Sequence, residues 1–130
     1  MWKCEVVVGA ELDVEEVAEL YRASTLAERR PVDDRERFAE MLRAANLVVI
    51  VRSEGRLIGI ARSVTDNVYA TYLSDLAVDR EFQRQGVGQA LIRATQEAAP
   101  PAKIILLAAP AAVDYYPKIG FTQHHSAWVL

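Results

Sequence analysis

A chain of 130 residues with 15 basic and 18 acidic side chains, formal net charge −3, lacks the basic surplus that nucleic-acid binding calls for. Hydrophobic residues make up 52% and charged residues 25%, a balance that predicts one soluble globular domain over 1–130 with a core of its own. No apolar run reaches the length of a membrane span, no signal-peptide pattern opens the chain, and the single cysteine, Cys4, excludes an internal disulfide, so the expected location is the cytoplasm.

Residues 2–8 predict a first strand. Asp13 followed by Glu16 is a helix-start signature, and Val14, Val17, Ala18 and Tyr21 give a helix over about 13–27 its apolar face. The run Glu28-Arg29-Arg30-Pro31 breaks it. Asp33 with Glu36 repeats the cap pattern, and Phe38, Met41 and Leu42 supply a second helical face as far as Ala45. Residues 47–52 (LVVIVR) predict a strand, Ser53-Glu54-Gly55 a turn, and 56–64 its hairpin partner. A further turn, Thr65-Asp66-Asn67, leads to a strand over 71–78.

Residues 79–85 are polar, and from Val87 the apolar positions fall at helical spacing through Ala90, Leu91, Ala94 and Ala98. Pro100 and Pro101 stop that helix. Residues 103–108 (KIILLA) predict a buried strand, 110–119 a short helix or helical turn, and 121–130 a final strand. Three consecutive strands without helices between them imply antiparallel pairing, whereas the strand–helix–strand unit after Thr71 should be parallel. The fold class is therefore α/β with a mixed sheet, and the order argues against a dinucleotide fold, which alternates strand and helix throughout.

The chemistry concentrates at 83–89. Gly86 and Gly88 stand where the helix begins, and glycines there let free N–H groups and the helix dipole meet an anion, most naturally phosphate. No Gly-Lys-Ser/Thr follows, which excludes a nucleotide-triphosphate loop, and no third glycine completes a dinucleotide pattern. Gln83-Arg84-Gln85-Gly86-Val87-Gly88, after a strand ending Leu76-Ala77-Val78, resembles the acyl-CoA signature of the GNAT superfamily of N-acetyltransferases. Tyr115-Tyr116-Pro117-Lys118-Ile119-Gly120-Phe121 resembles that family's late aromatic-Tyr-x-x-x-Gly-Phe element.

The resemblance implies a GNAT-like central mixed sheet of about six to seven strands flanked by about four helices, splayed at the cofactor strand. It implies acetyl-CoA as co-substrate, an amine as acceptor, direct attack in a ternary complex, and no metal. The main chain at Gln85, Gly86, Val87, Gly88 and Gln89 would hold the diphosphate, with Arg84 adding a charged contact and Gln83 bracing the turn. Leu76, Ala77 and Val78 would pair with the pantetheine arm, the Val78 N–H being the candidate oxyanion donor. Tyr116 would sit near the thioester sulfur as the acid, and Tyr115 competes for that role because Pro117 constrains the helix start.

For the base, Asp75 relaying through water is one reading; a structural carboxylate is the other. No acid stands on KIILLA, and Asp75 shares a face with Ser74 only if a bulge intervenes. His124 or His125 should face inward from the last strand, and Glu28 could meet a cationic substrate. Trp128-Val129-Leu130 forms an apolar edge suited to a homodimer. A non-catalytic acyl-CoA-binding or sensing module is the alternative reading of the whole chain.

Overall fold

The computed structural model describes residues 2–130. Five strands, β1 (Trp2–Val7), β2 (Leu47–Ser53), β3 (Arg56–Thr65), β4 (Ala70–Val78) and β5 (Lys103–Ile105), lie side by side in chain order. The first four pair antiparallel, and β4 pairs parallel with β5 across a connection containing the helix α3 (Val87–Ala98). The mixed sheet read from the sequence is thus the observed one.

Two helices cover one face of the sheet. Asp13 caps α1 (Val14–Ala23) by accepting from the N–H groups of Glu15 and Glu16. Asp34, one residue beyond the expected Asp33, caps α2 (Arg35–Ala44) by accepting from Arg37 N–H. Val17, Tyr21, Phe38 and Leu42 pack from these helices onto Val48, Ile50, Ile60 and Ala77. On the opposite face Val87, Leu91 and Ile92 of α3 pack onto Val49, Val51, Ile58, Ala61 and Leu73. Helical spacing sets the helix faces, and alternation sets the strand faces except at two register shifts, one between β2 and β3 and one between β3 and β4, which put Ile58 and Ile60, and Leu73 and Ala77, on opposite faces.

Three elements differ from expectation. The first helix stops at Ala23, not near residue 27: Ser24 Oγ bonds Tyr21 O and Leu26 N–H, and Thr25 takes a left-handed φ of 74°, so Leu26–Arg29 forms a separate 3-10 turn. The strand expected over 103–108 pairs only as far as Ile105, after which the chain leaves β4. Residues 121–130 form no strand. Their polar run Thr122-Gln123-His124-His125-Ser126 offers no face to bury, and every residue of 122–130 is exposed. The described residues therefore hold five strands and three α-helices, fewer than the six to seven and four expected.

Pairing between β3 and β4 slips by one residue: Arg62 faces Asp75, yet Ser63 faces Leu73. Ser74 is the extra residue of a β-bulge, so Ser74 and Asp75 both turn toward the α1–α2 side.

Gly9, in the 3-10 turn after β1, touches α2 through its backbone. A Cβ there would stand 2.1 Å from Leu42 O, a main-chain atom that cannot move aside. Gly9→Ala should lower stability by about 1–3 kcal/mol, measured by urea unfolding, with no change in ligand affinity.

Candidate functional site

The second half of β4 has one open edge. Its ladder with β5 runs from Ala70↔Lys103 to Tyr72↔Ile105 and ends there. On the other side Asp79 N–H donates to Ile58 O at 2.8 Å, which fixes the phase of the antiparallel ladder with β3. Ala77 therefore exchanges its bonds with Ile60, while Leu76 and Val78 aim their N–H groups into the gap. Of the three residues expected to face an arm in that gap, Leu76 and Val78 present donors and Ala77 does not. Gln83 Nε2 donates to Val78 O at 3.0 Å and ties the end of the strand to the turn that follows.

That turn opens α3 without a cap. Gly86, the N-cap, sits at φ 85°, and Arg84 at φ 65°. Alternating left-handed residues curl the main chain so that successive N–H groups point inward, a concavity suited to an anion. Among the described residues nothing accepts a bond from the N–H groups of Gln85, Gly86, Val87, Gly88 or Gln89. Arg84, Gln85 and Gln89 are exposed around them. Free donors, a helix dipole and a guanidinium fit a diphosphate, and the donors of Leu76 and Val78 continue from that cradle along the gap.

The two tyrosines divide between neighbouring places. Tyr115 lies over the first turn of α3: a Cβ on Gly88 would stand 3.5 Å from its hydroxyl. Tyr116 is half-buried against the α3-side core, edge-on to Tyr115 at 5.3 Å and to Phe121 at 5.4 Å. It opens the 3-10 turn Tyr116–Ile119, where Pro117 is accommodated because a first-turn residue needs no N–H partner. Burial raises both phenol pKa values, and the neighbouring Tyr115 raises that of Tyr116 further. Both hydroxyls are therefore protonated donors at neutral pH. Tyr116, Phe121 and His124 line a cavity of about 520 Å³ alongside β5 and its continuation.

Asp75 lies at the centre of a buried charge network. Its Oδ1 accepts from Arg30 Nε at 2.6 Å and Ser74 Oγ at 3.1 Å. Its Oδ2 accepts from Arg62 Nε at 2.6 Å and Tyr21 OH at 2.7 Å. Burial opposes its ionisation, but Arg62, Tyr21 and Arg30 together outweigh that and hold its pKa below the ordinary carboxylate value. A carboxylate with four donors and a lowered pKa is a poor proton acceptor. The expectation that Asp75 relays a proton does not suit this geometry; its alternative, a structural carboxylate, does.

His124 and His125 are both exposed rather than one facing inward, because the segment bearing them forms no strand, and His124 Nδ1 meets Ser126 Oγ at 2.8 Å. Glu28 is exposed on the 3-10 turn after α1. Among the described residues no three His, Cys, Asp or Glu side chains cluster as a metal would need, and no helix is long and apolar enough to cross a membrane. Arg30, Arg62 and Tyr21 were not singled out as site residues by sequence. The signal was an arginine inside the apolar strand Leu57-Ile58-Gly59-Ile60-Ala61-Arg62, where a buried charge demands a partner.

A mixed sheet that parts beside an uncapped, glycine-bearing helix start leaves main-chain donors free along the strand edge and at the helix start. The chain belongs to the GNAT acetyltransferase family: the family described as "Acetyltransferase (GNAT) domain" matches residues 17–129. It is 36% identical over 73 residues to GCN5-related N-acetyltransferase 2, chloroplastic, of Arabidopsis thaliana, covering 54% of this chain and 28% of that protein. The matched segment thus spans less than a third of that relative's length.

Among solved structures, a GNAT-family acetyltransferase of Streptococcus pneumoniae superposes with a TM-score of 0.79 at 20% identity, over 100% of this chain and 98% of that one. An acetyltransferase of Trypanosoma brucei gives 0.71 at 23% identity, over 100% and 99%. The aminoglycoside N-acetyltransferase AAC(6')-Iy, solved in complex with CoA, gives 0.76 at 18% identity, over 100% and 93%. These likenesses are of fold. Family membership supports acyl transfer from acetyl-CoA.

Asp75→Asn would leave two guanidiniums around a neutral amide. Breaking a buried pair from one side costs about 3–5 kcal/mol, so this variant should lose that much in denaturant unfolding. The pKa of Asp75 is lowered on folding, so its stabilisation is complete above the unfolded value near 4 and fades as pH falls through the lowered folded value. A stability profile of wild type and variant should therefore converge at the acid end.

Proposed function

We propose that this chain moves the acetyl group of acetyl-CoA to a primary amine by direct attack in a ternary complex. The open β4 edge running into the uncapped start of α3 is the observation that supports this reading most. Acetyl-CoA supplies an activated acyl thioester. In this reading the N–H groups of Gln85, Gly86, Val87, Gly88 and Gln89 hold its diphosphate, with Arg84 alongside and Gln83 bracing the turn. Charge-assisted bonds of this kind are worth roughly 1.5–3 kcal/mol each. Leu76 and Val78 hold the arm, and the Val78 N–H polarises the acyl oxygen as charge develops on it.

Tyr116, protonated and half-buried, gives its proton to the departing sulfur. A phenol and a thiol differ by about 1.5 pKa units at reference values, so that transfer is uphill by only about 2 kcal/mol. With Asp75 fully engaged, the proton of the attacking amine passes to water. Alignment of the two substrates contributes most, an effect worth roughly 7–11 kcal/mol. The engagement of Asp75 is also the observation that favours a second reading, a module that binds acyl-CoA without turning it over. Release of free thiol with a set of amines separates the two.

Calorimetry should detect binding of acetyl-CoA, and its absence sinks both readings. Tyr116→Phe should lower kcat at least tenfold while acetyl-CoA affinity stays within twofold; an unchanged kcat removes Tyr116 from the reaction. The rate should rise about tenfold per pH unit toward the pKa of the amine itself, near 10, because the raised Tyr116 pKa keeps the donor form throughout. An inflection between pH 6 and 7 would instead indicate a histidine base.

The same reading includes a homodimer. Trp128 and Val129 are 91% and 81% exposed, and β5 pairs on one side only. Light scattering should give twice the chain mass, and Trp128→Glu should return it to that of one chain.

A further inference from the structure

Where the α1–α2 layer ends, one row of the sheet is left uncovered. Val64, Tyr72 and Ile105 stand in register across β3, β4 and β5 and are 49%, 41% and 48% exposed. They share the face on which Ser74 and Asp75 emerge from the bulge. The row also lies where the β4–β5 ladder parts, at the end of the gap away from the cradle.

Along β3 and β4, the next positions on this face carry a surplus of positive charge. The guanidiniums of Arg30 and Arg62 converge on a single carboxylate, Asp75, whose side chain is fully buried. Arg62 spends its remaining bonds inside the protein, on Met41 O and Ser74 Oγ. Arg30 is the outer member, its side chain 22% exposed. It donates through Nε to Asp75, through Nη2 to Ser74 O at 2.9 Å, and through Nη1 to Arg29 O at 2.7 Å. A guanidinium has five N–H donors, which leaves one on each Nη, the fork that takes a carboxylate in two parallel bonds. No second acid answers this charge: among the described residues Glu28, the nearest acid along the loop, forms no ion pair with Arg30.

We propose that the acceptor is an amine that also carries a carboxylate and an apolar side chain, an amphipathic amino acid. The free fork of Arg30 binds its carboxylate, and its side chain lies on Val64, Tyr72 and Ile105. This rests on the acetyl-transfer reading and names the substrate class for it. A polyamine finds only like charge here, and an acceptor without a carboxylate leaves the fork unanswered.

The test is thiol release from acetyl-CoA with four amines: L-leucine, L-phenylalanine, L-leucinamide and 2-phenylethylamine. Each acid should exceed its carboxylate-free counterpart by about tenfold or more in kcat/KM, the worth of one charge-assisted pair. Arg30→Met should bring that ratio to within threefold through KM, with acetyl-CoA affinity unchanged, and Arg30→Lys should restore part of it. Ile105→Asp, at an exposed position, should raise KM for L-leucine and L-phenylalanine at least fivefold.

Amines and acids used equally by the wild type would overturn the proposal while leaving acetyl transfer standing. Thiol release with none of the four, despite bound acetyl-CoA, would count against turnover. Calorimetry of L-leucine against L-leucinamide on the CoA-loaded protein then decides the carboxylate preference separately: equal heats overturn it, and heat with the acid alone upholds it.

Discussion

The structure turns on a carboxylate placed between two guanidiniums at a β-bulge. Asp75 touches α1 through Tyr21, the α1–α2 loop through Arg30, β3 through Arg62 and its own neighbour Ser74. Those bonds tie two helical-layer segments and a neighbouring strand to one point on β4. Buried ion pairs seldom stabilise a fold more than well-packed apolar groups would, because desolvation offsets the Coulomb gain. What the network supplies is position. With Asp75 held, the bulge at Ser74 cannot migrate, and the Ser74 carbonyl turned out of the ladder finds its partner in Arg30 Nη2.

The gap opens within two residues of the bulge, on the opposite edge of β4. Beyond Tyr72 nothing accompanies β4 on the β5 side, so Leu76 and Val78 keep N–H groups that a closed sheet would have consumed. The same shortage of acceptors recurs a few residues on, at the start of α3, where Gly86 supplies the left-handed turn but no capping side chain. Arg84 also holds a left-handed φ, a conformation costing a residue with a Cβ about 1–2 kcal/mol. The bond from Gln83 to the last carbonyl of β4 pins the turn from the other side and helps hold that conformation. Strand edge and helix start are thus one continuous line of donors, joined by a brace the protein makes with itself.

Much of this was legible beforehand because it is local. Apolar and β-branched runs bounded by turns mark β2, β3 and β4, helical spacing marks α1, α2 and α3, and the pair of glycines after a polar turn points to the cradle. The missing parts share a different physics. Nothing near Arg30 in the chain signals that its partner lies 45 residues on. The bulge at Ser74 depends on pairing with β3 and leaves no periodic trace in β4 itself. The run KIILLA is apolar on both faces and so carries no mark of where its ladder stops. The last ten residues looked strand-like at both ends, but their five polar residues in succession gave that strand nothing to bury.

The charge balance of the chain gives the site its direction. The sequence is net acidic, yet the bulge concentrates two guanidiniums on one carboxylate, so the local field opposes the global one. A unit charge about 8 Å away at an effective dielectric near 40 is worth about 1 kcal/mol, enough to move a nearby amine's pKa by somewhat under one unit. A polycation pays the same repulsion at every charge it brings. In the proposed reading, a molecule with one amine and one carboxylate meets attraction at one end and repulsion at the other, and this sets its orientation: the carboxylate toward Arg30, and the amine away from it toward the gap.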